Sequence, residues 1–590
     1  MATHPAPAPV PPPRTGLLGA GRLLRSTQAG FAVLAVLVGA GAGLGAVGFR
    51  WLIELFTRLL SGHADYSDAG HAPNPLVPWL GPYFVLLAPV VAGALYGPLV
   101  YRYAKEARGH GVPEVMYAVA RQQGRIPSRV AAVKALASAL CIGGGGSVGR
   151  EGPIVQIGSA LGSTAGAVVR ADEDRVRVLV ACGAAGGIAA TFNAPLAGVF
   201  FALELILRDF TARRFGMVVL AAVTASVVGR AFLGDTTFLE LPPADQGGLA
   251  AYALFVLLGA LAGVVGVVFT KVLYLVEDAC DAVWRGPEWL RPAVGGILLG
   301  GVLLALPEMY GVGYPVLEKA VNGGYALGFT LVLLVGKVLA TSLTIGIGGS
   351  GGVFAPSLFI GAMLGSAFGQ TADAAAPGLA GSATVCAVLG MGALFAGSAR
   401  APITAVVIIY ELTGDYGLIL PLMTAVVVAT GVSRALSAET VYTAKLRRRG
   451  VFIERTGPDA VEAAAVMGPP PAVLAPETSL GEAAAVLLRT GSSSLPLVDA
   501  DGRLRGTVGA VSVAGALGAG TEPDRPVSQV AAEARAVSGT DSLREVLARF
   551  PATEGDGIPV LDADGRRFLG WVSHRDALRA LSAPDVADPP

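Results

Sequence analysis

Two stretches of this chain share one skeleton, and a duplicated skeleton calls for a fold of two related halves. Gly145-Gly146-Ser147-Val148-Gly149-Arg150-Glu151-Gly152-Pro153 matches Gly348-Gly349-Ser350-Gly351-Gly352-Val353-Phe354-Ala355-Pro356. Both continue alike, through Ile157-Gly158 and Leu161-Gly162 in the first copy and Ile360-Gly361 and Leu364-Gly365 in the second. Upstream, Lys134 and Lys337 stand at the same distance from their prolines. Downstream, Ala194-Pro195 and Glu204-Leu205 repeat as Ala401-Pro402 and Glu411-Leu412. Each Gly-rich loop runs into a proline and an apolar stretch, so its backbone N–H groups gather at a helix N-terminus, a device that holds anions. In an apolar chain, such a duplication predicts a membrane transporter built from two related halves around a midplane site.

The composition agrees. Of 590 residues only 15% are charged, and the mean hydropathy is +0.62, too apolar for an ordinary soluble enzyme. The 81 glycines are roughly twice the usual share of about 7% and let helices approach closely. Apolar stretches recur from Gly30 to Leu436, some long enough to span a bilayer and others short or broken by Gly and Pro. Broken spans are tolerated only where protein or a water-filled path covers the freed backbone. The expectation is an all-α polytopic membrane domain over 29–446, after a disordered tail over 1–28.

Arg14, Arg22 and Arg25 precede the first apolar stretch, and Lys445, Arg447, Arg448 and Arg449 follow the last. The positive-inside tendency then puts both termini in the cytoplasm of a multi-pass cell-membrane protein. The Ala- and Pro-rich start lacks a signal-peptide pattern. A net charge of zero leaves no basic footprint for nucleic acid. Cys141, Cys182, Cys280 and Cys386 lack metal-ligand spacing and read as packing residues. No nucleophile–base pair or metal cluster is visible, so the reading is not an enzyme and requires no cofactor.

After a linker over 447–465, short strands alternate with amphipathic helices. Pro496-Leu497-Val498-Asp499-Ala500-Asp501-Gly502-Arg503 repeats as Pro559-Val560-Leu561-Asp562-Ala563-Asp564-Gly565-Arg566, each a strand and an Asp/Gly turn leading to a second strand. This smaller α/β region resembles a cytoplasmic pair of CBS modules, placed at 466–518 and 526–582 before a tail at 583–590. That resemblance implies an adenine nucleotide as ligand. Ser573 and Asp576 match the family's Ser/Thr-x-x-Asp signature, with Ser573 toward a phosphate and Asp576 toward a ribose hydroxyl. The first module departs, with Gly509 and Ser512 in those places. The alternative is that Ser573 only caps the last helix.

The membrane half resembles the CLC family of chloride channels and chloride/proton exchangers. Gly109-His110-Gly111-Val112-Pro113, Gly149-Arg150-Glu151-Gly152-Pro153 and Gly352-Val353-Phe354-Ala355-Pro356 match its signatures in order, and Tyr442 fits its fourth element. The resemblance implies an all-α membrane domain with an inverted internal repeat and a homodimer in membrane lipid, each subunit with its own path for chloride and related anions, and for protons in exchangers. A central anion would meet the N–H groups of Val353 and Phe354 and the Tyr442 hydroxyl. An outer one would use the backbone around Gly149, Arg150 and Gly152. Glu151 would be gate and proton carrier: ionised, it takes the place of an anion, and protonated, it swings away. A lone intramembrane carboxylate is a functional candidate on physical grounds too. The bland alternative is a salt bridge with Arg150.

Three departures bear on mechanism. His110 stands where many members have Ser; its imidazole N–H either replaces the hydroxyl, with added attraction when protonated, or points away. Leu205 occupies the position of the inner proton glutamate and cannot relay a proton. Glu204 beside it is a substitute carrier, yet its counterpart Glu411 favours a shared structural role. The leading reading is therefore channel-like or weakly proton-coupled chloride transport, with the CBS pair as a regulatory unit. The alternative is an antiporter with a non-standard proton route. The intact Gly-Arg-Glu-Gly-Pro argues against a fluoride exporter, and isolated carboxylates argue against a CBS-bearing cation channel. A nucleotide sensor with a mere membrane anchor would not need two matched Gly-rich loops. No Arg-periodic sensor helix is present from which to read voltage gating.

Overall fold

The computed structural model describes residues 27–234, 239, 241–242, 248–377, 381–451, 461–550, 555–562 and 564–582. The tail at 583–590, nearly all of the tail at 1–28 with its three arginines, and the middle of the 447–465 linker lie outside the described residues. The chain divides into two compact units between Arg449 and Gly450.

The first unit is helical, and its helices fall into two matched series. The first half runs α1 (Gln28–Ser61), α2 (Phe84–Tyr103), α3 (Val112–Arg121), α4 (Arg129–Gly143), α5 (Glu151–Val169), α6 (Glu173–Phe192), α7 (Pro195–Phe201) and α8 (Ala212–Leu233). The second runs α9 (Ala251–Val283), α10 (Arg291–Ala305), α11 (Tyr314–Val321), α12 (Leu327–Gly346), α13 (Phe354–Ala375), α14 (Ala383–Ala399), α15 (Pro402–Thr413) and α16 (Ile419–Leu436). A short α17 (Thr443–Arg448) follows. Among the described residues, eight helices are long and apolar enough to cross a membrane. Others are shorter, among them α7 and α15, which open at the duplicated Ala194-Pro195 and Ala401-Pro402.

Glycine sets the helix spacing in both halves alike. Gly39 and Gly43 on α1 lie against Ala221 and Ala225 on α8, and Gly259 and Gly263 on α9 lie against Ala425 and Ala429 on α16. A Cβ at any of these four positions would run into the facing backbone. Small residues four apart allow this approach where no hydrophobic effect drives helices together. The termini correspond as well: Asp172 caps α6 and Ser382 caps α14, while Asn193 and Arg400 end those helices in the left-handed region. Asn193 accepts from Arg230 Nε at 2.6 Å, and Arg400 donates to the carbonyls of Ala438 and Ser433, so each unusual backbone residue is tied down by its side chain.

The second unit holds two small α/β modules. In the first, α19 (Leu480–Thr490) leads to the antiparallel pair β1 (Ser494–Val498) and β2 (Leu504–Gly509), then α20 (Ala510–Gly518), while α18 (Ala463–Val466), earlier in the chain, packs into the core of the second module beside Val537, Leu543 and Val572. In the second, β3 (Val537–Ser538) and α21 (Leu543–Arg549) precede β4 (Gly557–Leu561), β5 (Phe568–Ser573) and α22 (His574–Ser582). The sheet order is β3-β4-β5, with β3 parallel to β4 and β5 antiparallel to it. Both hairpins shift register at the same place, Leu497/Val498 and Val560/Leu561, just before the repeated aspartates. The backbone N–H of Arg503, the Arg505 guanidinium and the N–H of Asp501 hold the Asp499 carboxyl below its ordinary range. The N–H groups of Arg566 and Arg567 do the same for Asp562.

Candidate functional site

The two Gly-rich loops are joined to each other by their backbones. Gly149 N–H donates to Gly352 O at 2.7 Å, and Gly352 N–H donates back to Gly149 O at 2.6 Å. A second link brings in the loop before α3: Gly109 N–H donates to Gly349 O at 3.1 Å and Gly351 N–H to Gly109 O at 3.3 Å. Glycine is required here because the strands of loop cross at backbone distance; a Cβ at Gly152 would collide with the His110 carbonyl, and one at Gly352 with Gly152 N. The result is that the N-termini of α5 and α13 face one another with the α3 loop between them. Each helix end contributes a partial positive charge of ~0.5 elementary charge.

Two fully buried lysines brace this arrangement. Lys134 Nζ donates to Ala107 O (2.9 Å) and Gly109 O (2.7 Å). Lys337 Nζ donates to Ser147 Oγ (3.0 Å), Val312 O (3.0 Å) and Gly311 O (3.3 Å). Each therefore holds the loop that opens a short helix, α3 in one half and α11 in the other. The equal spacing of the two lysines in the sequence is explained by this shared duty.

Glu151, at the first turn of α5, is 1% exposed. Its Oε1 accepts from the Tyr314 hydroxyl at 2.6 Å and its Oε2 from Ala355 N–H at 3.3 Å. The carboxylate lies over Gly149, where a Cβ would occupy its place. Arg150 goes elsewhere: its guanidinium stacks on Tyr314 (4.9 Å) and Phe192 (5.9 Å) and donates to Thr191 O at 3.4 Å. Among the described residues no Arg150–Glu151 ion pair forms, so the bland salt-bridge reading does not hold. Glu151 is drawn to the N-terminus of α13, the spot an anion would favour.

Val353 and Phe354 are buried at that same helix end, and their N–H groups have no acceptor among the described residues. The Phe354 ring packs against Phe395, Phe192 and Phe201, which fixes the helix start. Tyr442 is buried just before α17, its N–H held by Thr440 Oγ1 at 3.3 Å, and lies within electrostatic reach of Glu151. His110 is 1% exposed, and neither ring nitrogen has a hydrogen-bond partner among the described residues. Its ring meets the edge of Tyr274, with Lys445, Lys134 and Arg449 within electrostatic reach.

Leu205 is buried in a π-helical turn, Ala202–Leu207, that continues α7. The neighbouring Glu204 faces the other half: it accepts from Thr404 N–H (2.8 Å), Thr404 Oγ1 (2.7 Å) and Ile403 N–H (3.2 Å) at the start of α15. Glu411 returns the arrangement, accepting from Ala197 N–H (2.7 Å) and Leu196 N–H (3.0 Å) at the start of α7. In the second unit, Ser573 Oγ accepts from Asp576 N–H at 3.1 Å and donates to Asp576 Oδ2 at 2.6 Å. This is the geometry of a helix N-cap.

Tyr314 was not among the residues singled out from the sequence, although a signal for it exists. Gly311-Val312-Gly313-Tyr314-Pro315 repeats the pattern of Gly109-His110-Gly111-Val112-Pro113, with positive φ at all four glycines. Tyr314 is thus the second-half counterpart of Val112.

The profile of the family described as voltage gated chloride channel matches residues 92–434, and that of the CBS domain matches 463–518 and 527–583. The H(+)/Cl(-) exchange transporter ClcA of Vibrio parahaemolyticus serotype O3:K6 is 36% identical over 430 residues, which cover 72% of this chain and 90% of that protein. A solved slow cyanobacterial Cl-/H+ antiporter superposes with a TM-score of 0.63 at 29% identity, covering 71% of this chain and 97% of its own. A eukaryotic CLC transporter shares the fold over 94% of this chain and 98% of its own, with a TM-score of 0.61 at 22% identity. With a profile across most of the membrane unit and a relative matched over nearly its whole length, the chain belongs to the CLC family of anion transport proteins and carries two C-terminal CBS domains.

Proposed function

We propose that this protein carries chloride and related anions across the membrane along a path closed by Glu151, with weak coupling to protons. The observation that carries this reading is the pair of bonds from Glu151 to Tyr314 and to Ala355 N–H, which sets a buried carboxylate on anion-seeking backbone. The free N–H groups of Val353 and Phe354, the buried Tyr442 and the unpartnered His110 ring, with cations near it, support an anion path just inward of that gate. A halide held by N–H dipoles rather than by a paired cation can also leave, as transport requires.

Weak coupling is supported by Leu205 and by the three hydrogen bonds that engage Glu204 as a helix cap. Full chloride/proton exchange is the second reading, favoured by the likeness to the H(+)/Cl(-) exchange transporter ClcA and to the cyanobacterial Cl-/H+ antiporter. The deciding experiment is the reversal potential of purified protein in liposomes under opposed chloride and pH gradients. A potential set by chloride alone supports channel-like transport; displacement by the proton gradient supports exchange.

The reading includes both termini in the cytoplasm and a homodimer, as in the family the chain belongs to. It also includes an adenine nucleotide at Ser573 and Asp576 as a regulatory ligand, which must compete with the bond these two residues make to each other. Calorimetric titration of the full chain with ATP, ADP and AMP tests this; no heat with any of them removes the nucleotide from the reading.

A further inference from the structure

We propose that Tyr314 is the latch of the Glu151 gate, a positioning residue that sets how readily the carboxylate leaves the anion path. The inference rests on Glu151 being the gate and adds what holds it shut.

Four observations converge on it. The Tyr314 hydroxyl lies 2.6 Å from Glu151 Oε1, the shorter of the two bonds that carboxylate makes to other residues. The ring is clamped from one side by Arg150, whose guanidinium stacks on it at 4.9 Å, so the donor is held in place before the carboxylate arrives. The loop behind it is fixed by Lys337, which bonds the carbonyls of Gly311 and Val312 and the Ser147 hydroxyl of the loop that carries Glu151. Finally, the matching position in the other half is Val112, which has no donor. The fold does not need a hydroxyl at this point, since its first copy does without one.

A hydrogen bond to an ionised carboxylate is roughly twice as strong as one to a neutral group. The latch therefore favours the ionised, seated Glu151 over the protonated one, and protonation weakens the same bond that must break for the side chain to swing. The groups that face Glu151 are Arg150 from its own loop, Tyr314 from α11, Lys337 from α12 and Tyr442 from the segment before α17; α13 presents only the Ala355 N–H. Of these, Tyr314 is the one whose side chain donates to the carboxylate.

The test is chloride efflux from liposomes across a pH series for wild type, Tyr314→Phe, Glu151→Gln and the double variant. Losing one charge-assisted bond weakens the seated state by about tenfold, so Tyr314→Phe moves half-activation about one pH unit toward alkaline and raises the rate above the midpoint by about tenfold. Glu151→Gln alone gives a flat profile, and adding Tyr314→Phe to it changes nothing more. A wild-type profile for Tyr314→Phe beside a flat Glu151→Gln overturns the latch and leaves the gate standing. A pH-dependent Glu151→Gln overturns the gate and the latch with it. An effect of Tyr314→Phe that persists in the Glu151→Gln background shows the ring acting on the path itself, which also overturns the latch. A more acidic fluorotyrosine at 314 keeps the shape if the phenylalanine variant fails to fold; it strengthens the donor and moves half-activation toward acid, and an unchanged midpoint sinks the proposal.

Discussion

Glu204 caps the helix that carries Glu411, and Glu411 caps the helix that carries Glu204. Each carboxylate sits at a helix N-terminus of the opposite half, so the pair ties α7 to α15 across the internal repeat. A carboxylate at a helix N-terminus satisfies orphan N–H groups and opposes the dipole. This duty explains why the glutamate recurs in both halves, and it engages both Glu204 oxygens as acceptors.

Glu204→Gln and Glu411→Gln should accordingly weaken the fold to similar extents. Each loses a charge–dipole interaction of about 0.3–1 kcal/mol but keeps an amide oxygen as acceptor. Melting of the purified protein should fall by a similar step in both variants, while chloride flux and its dependence on proton gradients stay at wild type. If Glu204→Gln changes proton coupling and Glu411→Gln does not, Glu204 is a proton carrier after all.

Glu151→Gln keeps the shape of the gating side chain and removes its charge. The amide cannot compete with an anion for the N-terminus of α13, so transport should persist with its pH dependence abolished. Flux measured between acid and neutral pH decides the point, and a retained slope assigns the pH sensor to another group.

Gly158 and Gly183 touch backbone to backbone between α5 and α6, and Gly361 and Gly390 repeat the contact between α13 and α14. A methyl at Gly158 would run into the Gly183 carbonyl, which is backbone and cannot swing aside. Gly158→Ala and Gly361→Ala should each cost about 1–3 kcal/mol by overpacking and displace the adjoining loop. Thermal melting and chloride flux should fall together in both; a neutral result at either position would falsify the backbone contact there.

The turn aspartates make the second unit acid-sensitive. Asp499 and Asp562 have folded-state values below their unfolded ones, chiefly through backbone N–H groups at Arg503 and at Arg566 and Arg567. The stability they contribute is therefore fully present above about pH 4, the unfolded aspartate value, and is lost as pH falls through the lower folded values. Proteolysis of the full chain by an acid-active protease should cut the second unit increasingly below that pH. Asp499→Asn with Asp562→Asn should flatten the dependence, and an unchanged profile would assign it to other carboxylates.

The duplication, the apolar composition and the Gly-Pro signals sufficed to read two helical halves, the loops at their junction and Glu151 as the residue of interest. Those features are local: a loop that must meet another backbone closely needs glycine in the sequence itself, and a helix that opens at mid-membrane needs its proline. The β-hairpins of the second unit were legible for the same reason, since the Asp/Gly turns lie beside the strands they connect. What tertiary structure alone decided is which side chain meets which. Tyr314 reaches Glu151 because Lys337 and Arg150 fix a distant loop and ring, and nothing near Tyr314 in the sequence encodes that partner. Glu204 places its oxygens on the opposite half, a contact that its own sequence neighbourhood does not encode. A single sequence lays out the backbone devices of each half; the bonds between halves depend on how the two copies dock, and docking is a property of the folded chain.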